Sequence, residues 1–131
     1  MEKAKKEVKQ FKLLERVEYS REGIVSSEVL RNSAGTLTVF AFDAGQGLSE
    51  HSAPFDAVVQ ILEGRATITI GGEPHEVSQG EMLIMPANVP HALSCVEPFK
   101  MVLAMFRGQW RGIIRRCLWP VKGDAHRRPG A

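Results

Sequence analysis

Between residues 24 and 106 the sequence is cut into short runs that suit strands, with no room for a long helix among them. Residues 35–43 read Gly-Thr-Leu-Thr-Val-Phe-Ala-Phe-Asp, an alternating stretch rich in β-branched and aromatic side chains. Residues 57–62 form a nearly continuous apolar run, short enough for a strand. Arg65–Ile70 alternates cleanly, with Ala66, Ile68 and Ile70 on one face and Arg65, Thr67 and Thr69 on the other. The adjacent glycines 71 and 72 then predict a two-residue hairpin into residues 73–77, because such turns need positive φ. Further strands are predicted at 81–85, 91–96 and 99–106, separated by Ser78-Gln79-Gly80, the proline-marked turn 86–90 and Glu97-Pro98. Seven or more short strands at this spacing predict an all-β antiparallel sandwich or barrel.

The two ends differ from this middle. Residues 1–23 are an N-terminal extension of mixed charge. Val8, Phe11 and Leu14 follow a helical spacing, whereas Phe11 and Leu13 suit a strand equally well, so its type stays open as it packs on the barrel. Residues 107–131 form a basic tail. Trp110, Ile113, Ile114, Cys117 and Leu118 fall at i, i+3, i+4, i+7 and i+8, opposite Arg111, Arg115 and Arg116, which outlines a short amphipathic helix ended by Pro120. Residues 122–131 are polar and contain Gly and Pro, a composition that predicts disorder.

The formal net charge of +2 conceals an asymmetry. Residues 1–106 carry ten Lys and Arg against fourteen Asp and Glu, and residues 107–131 carry seven against one. The body therefore offers no nucleic-acid footprint, and any contact with nucleic acid or an anionic membrane falls to the tail. No apolar run approaches the ~20 residues of a membrane-spanning helix, and residues 1–10 lack the apolar stretch of a secretory signal. Cys95 and Cys117 do not make a disulfide framework, so a cytoplasmic location is expected.

Two histidines stand in tight turns. His51 follows a glycine-containing turn and is read as opening an extended segment, in which residue 53 would share its face. Residue 53 is alanine. His91 starts a strand whose same-face residues are Leu93 and Cys95, and at ~3.3 Å per residue Cys95 lies roughly 13 Å away, too far to share an ion. The ligand supply is thus two imidazoles, with Asp56 or Gln60 as the additional candidate; strict alternation sends both of these outward unless a bulge at Pro54-Phe55 turns Asp56 in. Two imidazoles alone bind a divalent ion weakly, since catalytic zinc sites use three protein ligands and iron oxygenases two histidines and a carboxylate. The other reading has both rings lining a cavity, satisfied by hydrogen bonds.

At these residues the chain closely resembles the cupin superfamily. One cupin signature reads G-x5-H-x-H-x(3,4)-E-x6-G, and Gly45, His51 and Gly64 match its outer frame. The second reads G-x5-P-x-G-x2-H-x3-N, and Gly80, Pro86 and His91 match it. The resemblance covers about residues 24–106 and implies an antiparallel double-stranded β-helix, or jelly-roll barrel. Cupin enzymes typically hold a metal through three histidines and a glutamate; here Ala53 and Ala57 stand at two of those positions, while Asn88 and Cys95 replace a glycine and an asparagine of the second signature. The resemblance also implies a homodimer, and a divalent metal (Zn, Fe, Mn or Ni) wherever ligation is completed.

The leading expectation is a small-molecule-binding single-domain cupin with incomplete metal ligation. Its pocket is built from His51, Ala53, Ala57, His91, Met82, Met85 and Phe42. The alternatives are a metal-dependent dioxygenase, isomerase or decarboxylase acting on a small organic acid or sugar-like substrate, and a structural or regulatory interaction module. Most of Phe40, Phe42, Phe99, Met101, Leu103 and Met105 are read as barrel core or dimer interface rather than a ligand cage, Cys95 as a small core residue, and His75 as a surface or rim residue on a hairpin strand.

Overall fold

The computed structural model describes residues 7–108. Nine strands follow one 3₁₀ turn at Leu13–Arg16: β1 Ile24–Asn32, β2 Gly35–Phe42, β3 Gly47–His51, β4 Asp56–Glu63, β5 Arg65–Ile70, β6 Glu73–Ser78, β7 Met82–Met85, β8 His91–Ser94 and β9 Phe99–Phe106. They pair antiparallel in two sheets, one ordered β1-β2-β9-β4-β7 and the other β3-β8-β5-β6. This is the β-rich barrel that the run spacing predicts. The expected hairpin is present: Gly71 and Gly72 take φ of 56° and 86° between β5 and β6. The tail helix expected over residues 110–118 lies outside the described residues.

Alternation decides which side chains fill the interior. From β4 these are Ala57, Val59 and Ile61, from β5 Ala66 and Ile68, and from β9 Phe99 and Met101, all buried in one cluster with Met85 and Leu93. Phe42 stacks on Phe99 with ring centroids 4.5 Å apart. The register locates that stack at one end of the barrel, because Phe42 pairs with Phe99 while Gly35 at the other end of β2 pairs with Phe106. Buried apolar side chains thus line the interior from several strands at once, as expected for a small barrel.

The five-stranded sheet has a second, outer core. Val39 and Ala41 are fully buried on its outward face, where Val17 covers them and Leu13, Val25, Val29, Leu62 and Val102 pack around. Three polar contacts tie the covering segment down. Tyr19 Oη donates to Glu63 Oε2 at 2.6 Å, Lys100 Nζ donates to the Leu14 carbonyl at 2.9 Å, and the same ammonium stands 5.1 Å from the Tyr19 ring centroid. Partial burial and the neighbouring Glu63 carboxylate push the Tyr19 phenol well above its ordinary pKa, so it stays a donor throughout the neutral range. The chain then turns at Glu22, which holds φ of 55°, and its amide donates to Asp43 Oδ2 at 2.7 Å. That bond, and after it one from the Ala44 amide, holds the Asp43 carboxyl below the usual carboxylate range.

Two outcomes follow for stability. Tyr19→Phe should lower the unfolding free energy by about 1 kcal/mol in urea titrations, the net worth of one partly exposed hydrogen bond. Asp43 has a folded pKa below its unfolded one, so its contribution is present above the unfolded pKa of about 3.9 and lost as pH falls through the folded value. An Asp43→Asn variant should therefore show a shallower loss of stability between pH 5 and 2 in the same titrations.

Candidate functional site at the barrel mouth

His51 closes β3 and His91 opens β8, and the two are direct partners across the ladder. The strand containing His51 therefore ends there rather than beginning, and residue 53 lies in the following loop. The register carries the key irregularity. Leu48 pairs with Leu93 and His51 with His91, so Ser49 and Glu50 together oppose the single residue Ala92. Strict alternation from Leu48, which packs on the core, would send His51 outward. The extra residue reverses that parity and brings His51 onto the inner face beside His91. The ring centroids are 4.3 Å apart, with the planes at 67°.

Each imidazole is fixed from behind by the backbone. His51 Nδ1 lies 2.8 Å from the Ser49 carbonyl oxygen, and His91 Nδ1 lies 3.2 Å from that of Val89. A carbonyl oxygen only accepts, so both Nδ1 atoms carry a hydrogen, and in a neutral imidazole Nε2 is then the acceptor. His91 is only 8% exposed, whereas His51 is open to solvent. The pair thus sits at a mouth, one ring lining the wall and the other forming the lip.

The loop ahead of His91 is held at two points. Asn88 has φ of 67°, in the left-handed region that glycine and asparagine tolerate, and its amide donates to the Ala53 carbonyl at 2.8 Å. Asparagine in place of the signature glycine therefore preserves the backbone path. Asp56 Oδ1 accepts from the Ala87 amide at 2.9 Å, so this carboxylate anchors the turn. Its neighbour Ala57 is buried, and Asp56 shares the outward parity of Val58 and Gln60, with no bulge at Pro54-Phe55 turning it in.

The other expected pocket residues separate. Ala57 and Met85 are direct partners and both are buried, so the methionine abuts the position where the family signature has a glutamate. Ala53 is half-buried beside the loop. Met82 is corrected: it is 60% exposed, because alternation along β7 turns Leu83 and Met85 inward and Met82 and Ile84 out. Phe42 is also corrected. Its stack with Phe99 belongs to the far end of the barrel and forms core there. Cys95 is at that far end too, its thiol 3.2 Å from the Gln46 carbonyl oxygen, and burial pushes its pKa up, which keeps it a thiol. His75 is exposed on β6.

Two features were not legible beforehand. The β3 bulge left no mark in the composition of Ser49-Glu50, and the Arg107 guanidinium standing 5.3 Å from the Phe55 ring centroid joins residues 52 positions apart in sequence. That pair bounds a recess of about 30 Å³ with Gly35, Thr36, Met105 and Phe106, at the same end of the barrel as the histidines. Among the described residues, no group of three or more His, Cys, Asp or Glu side chains is placed to hold a metal ion. Two imidazole nitrogens without a carboxylate fall short of the donor set of a catalytic zinc or non-haem iron centre. Nor is any helix among the described residues long and apolar enough to cross a membrane.

Comparison with known proteins agrees with this architecture. Residues 38–106 match the Cupin_2 family model, described as a cupin domain. An uncharacterized protein of Streptomyces coelicolor is 32% identical over 79 residues, covering 60% of this chain and 75% of that protein. The crystal structure of a Streptococcus pyogenes protein of unknown function superposes with a TM-score of 0.73 at 36% identity, covering 80% of this chain and 92% of the other. A cupin 2 conserved barrel domain protein from Leptotrichia buccalis gives a TM-score of 0.72 at 38% identity, covering 74% of this chain and 47% of that one. With the family model matching more than half of its length, the chain belongs to the cupin family.

Proposed function

We propose that the mouth of this barrel binds a small organic molecule bearing a hydrogen-bond donor, which His51 and His91 receive on their Nε2 atoms, with no resident metal required. The observation that supports this most is the cross-strand pair itself: two rings 4.3 Å apart, each with Nδ1 committed to a backbone carbonyl. Such rings are preorganised acceptors, because the backbone already fixes their tautomer and orientation. Buried apolar Met85 and Ala57, paired across β4 and β7, would form the apolar part of the guest's surroundings.

A second reading draws on the same orientation. Metal-bound histidines commonly present Nε2 while Nδ1 donates to a carbonyl, so a metal-dependent enzyme would use this pair with ligands from solvent or substrate. The two readings separate on one measurement. Calorimetric titration with small organic acids and sugars, in chelator and in added divalent ion, should give equal affinities in both conditions. Binding that appears only with the ion would overturn the first reading in favour of the second.

Three variants test the geometry. His51→Ala should weaken the ligand about tenfold, the loss of one hydrogen bond worth about 1.4 kcal/mol, while leaving stability nearly unchanged because the ring is exposed. Gly47→Ala places a Cβ against the Leu93 carbonyl oxygen and must push β3 off β8. It should abolish binding although both histidines remain, and cost about 1–3 kcal/mol of stability. Asp56→Ala removes the acceptor of the Ala87 amide and should cost about 1–2 kcal/mol in urea unfolding.

A further inference from the structure

The outer face of the five-stranded sheet is covered over only part of its extent. Its inner rows, through Val39 and Ala41, lie beneath the N-terminal segment and are fully sealed. One row further along, the register aligns five apolar residues straight across all five strands. Leu30 pairs with Leu37, Leu37 with Ala104, Ala104 with Val58, and Val58 with Ile84. All five share the outward parity, and this row is open: Leu30 is 59% and Ile84 41% exposed. Phe106, 51% exposed, flanks it, and a groove of about 250 Å³ runs along its β1-β2-β9 side. With strands about 4.8 Å apart, the stripe is roughly 19 Å long.

The chain itself leads to this stripe. β9 ends at Phe106, which already lies on the outward face, and residues 109–131 follow. That continuation contains the apolar series Trp110, Ile113, Ile114, Cys117 and Leu118 with arginines on the opposite side. We propose that residues 110–118 dock as an amphipathic helix across the open apolar stripe of their own barrel, turning Arg111, Arg115 and Arg116 to solvent. A nine-residue helix is about 13 Å long, which fits the stripe with a turn to spare. The tether is three residues, from Arg107 to Gln109, so the effective concentration of the segment over the stripe is on the order of millimolar, and modest apolar burial suffices to hold it. The acidic body and the basic segment also attract one another, residues 1–106 carrying −4 and residues 109–131 carrying +5.

The test exploits composition. Trp110 and Trp119 are the chain's only tryptophans, so emission reports on this segment alone. In a Trp119→Phe version of the full chain, Trp110 should emit at shorter wavelength than in a free peptide of residues 107–131, and acrylamide should quench it about threefold less. Ala104→Arg at the centre of the stripe, or Ile84→Lys at its exposed edge, should raise quenching to the peptide's level with the far-ultraviolet dichroism of the barrel retained. Quenching in the full chain equal to that of the peptide overturns the proposal. So does shielding that grows with protein concentration, which assigns the stripe to a second copy. Shielding that appears only with acidic phospholipid vesicles overturns it as well, and assigns the segment to a membrane surface.

Discussion

The two-against-one register between β3 and β8 is the constraint from which the candidate site descends. Without the additional residue, Leu48 and His51 could not both face inward, since they are three positions apart on a strand of period two. The bulge lets β3 contribute an apolar side chain to the core and an imidazole to the mouth. It also turns the Ser49 carbonyl toward His51 Nδ1, which sets the tautomer. His91 reaches the same state differently, from a loop in which Asn88 and Asp56 fix the backbone and the Val89 carbonyl faces the ring. Two unlike local structures thus deliver the same chemical object, an imidazole whose Nδ1 hydrogen is committed to a backbone carbonyl.

The barrel interior is filled by apolar side chains, whereas His51 stays open to solvent. Loss of a histidine and a glutamate from the family signature leaves Ala53 and Ala57, which on size alone would open space. The barrel uses that space for packing: Ala57 and Met85 are buried against each other across β4 and β7. A long, unbranched thioether suits such an irregular gap. At His91, which is buried, a low local dielectric strengthens any hydrogen bond made there.

The barrel was legible because alternation, the Gly71-Gly72 turn and the signature glycines are all local features of sequence, and for β2 and β4 to β9 local features also set the strand boundaries to within about two residues, whereas the end of β3 at His51 was missed. The convergence of His51 and His91 was legible through the resemblance. Its mechanism was not, since a bulge depends on how β8 registers against β3 and neither strand reveals that alone. Met82 was misjudged because flanking a functional turn says nothing about parity, and on β7 parity faces it outward. Phe42 was misjudged for another reason: inward parity was right, but depth along the barrel axis comes from pairing with Phe99.

The outer face of the five-stranded sheet connects these points. β9 is the central strand of that sheet and belongs to both sides at once. Met105 points inward to the recess at the mouth, while Ala104 and Phe106 point outward on the open stripe. A contact that holds the backbone at Ala104 and Phe106 in place would also restrain the Met105 backbone between them. Thr36 and Asp56, paired to Met105 and Phe106, extend the same restraint to the recess wall and to the turn that carries His91. The recess wall and the outer stripe are therefore two faces of one short piece of sheet.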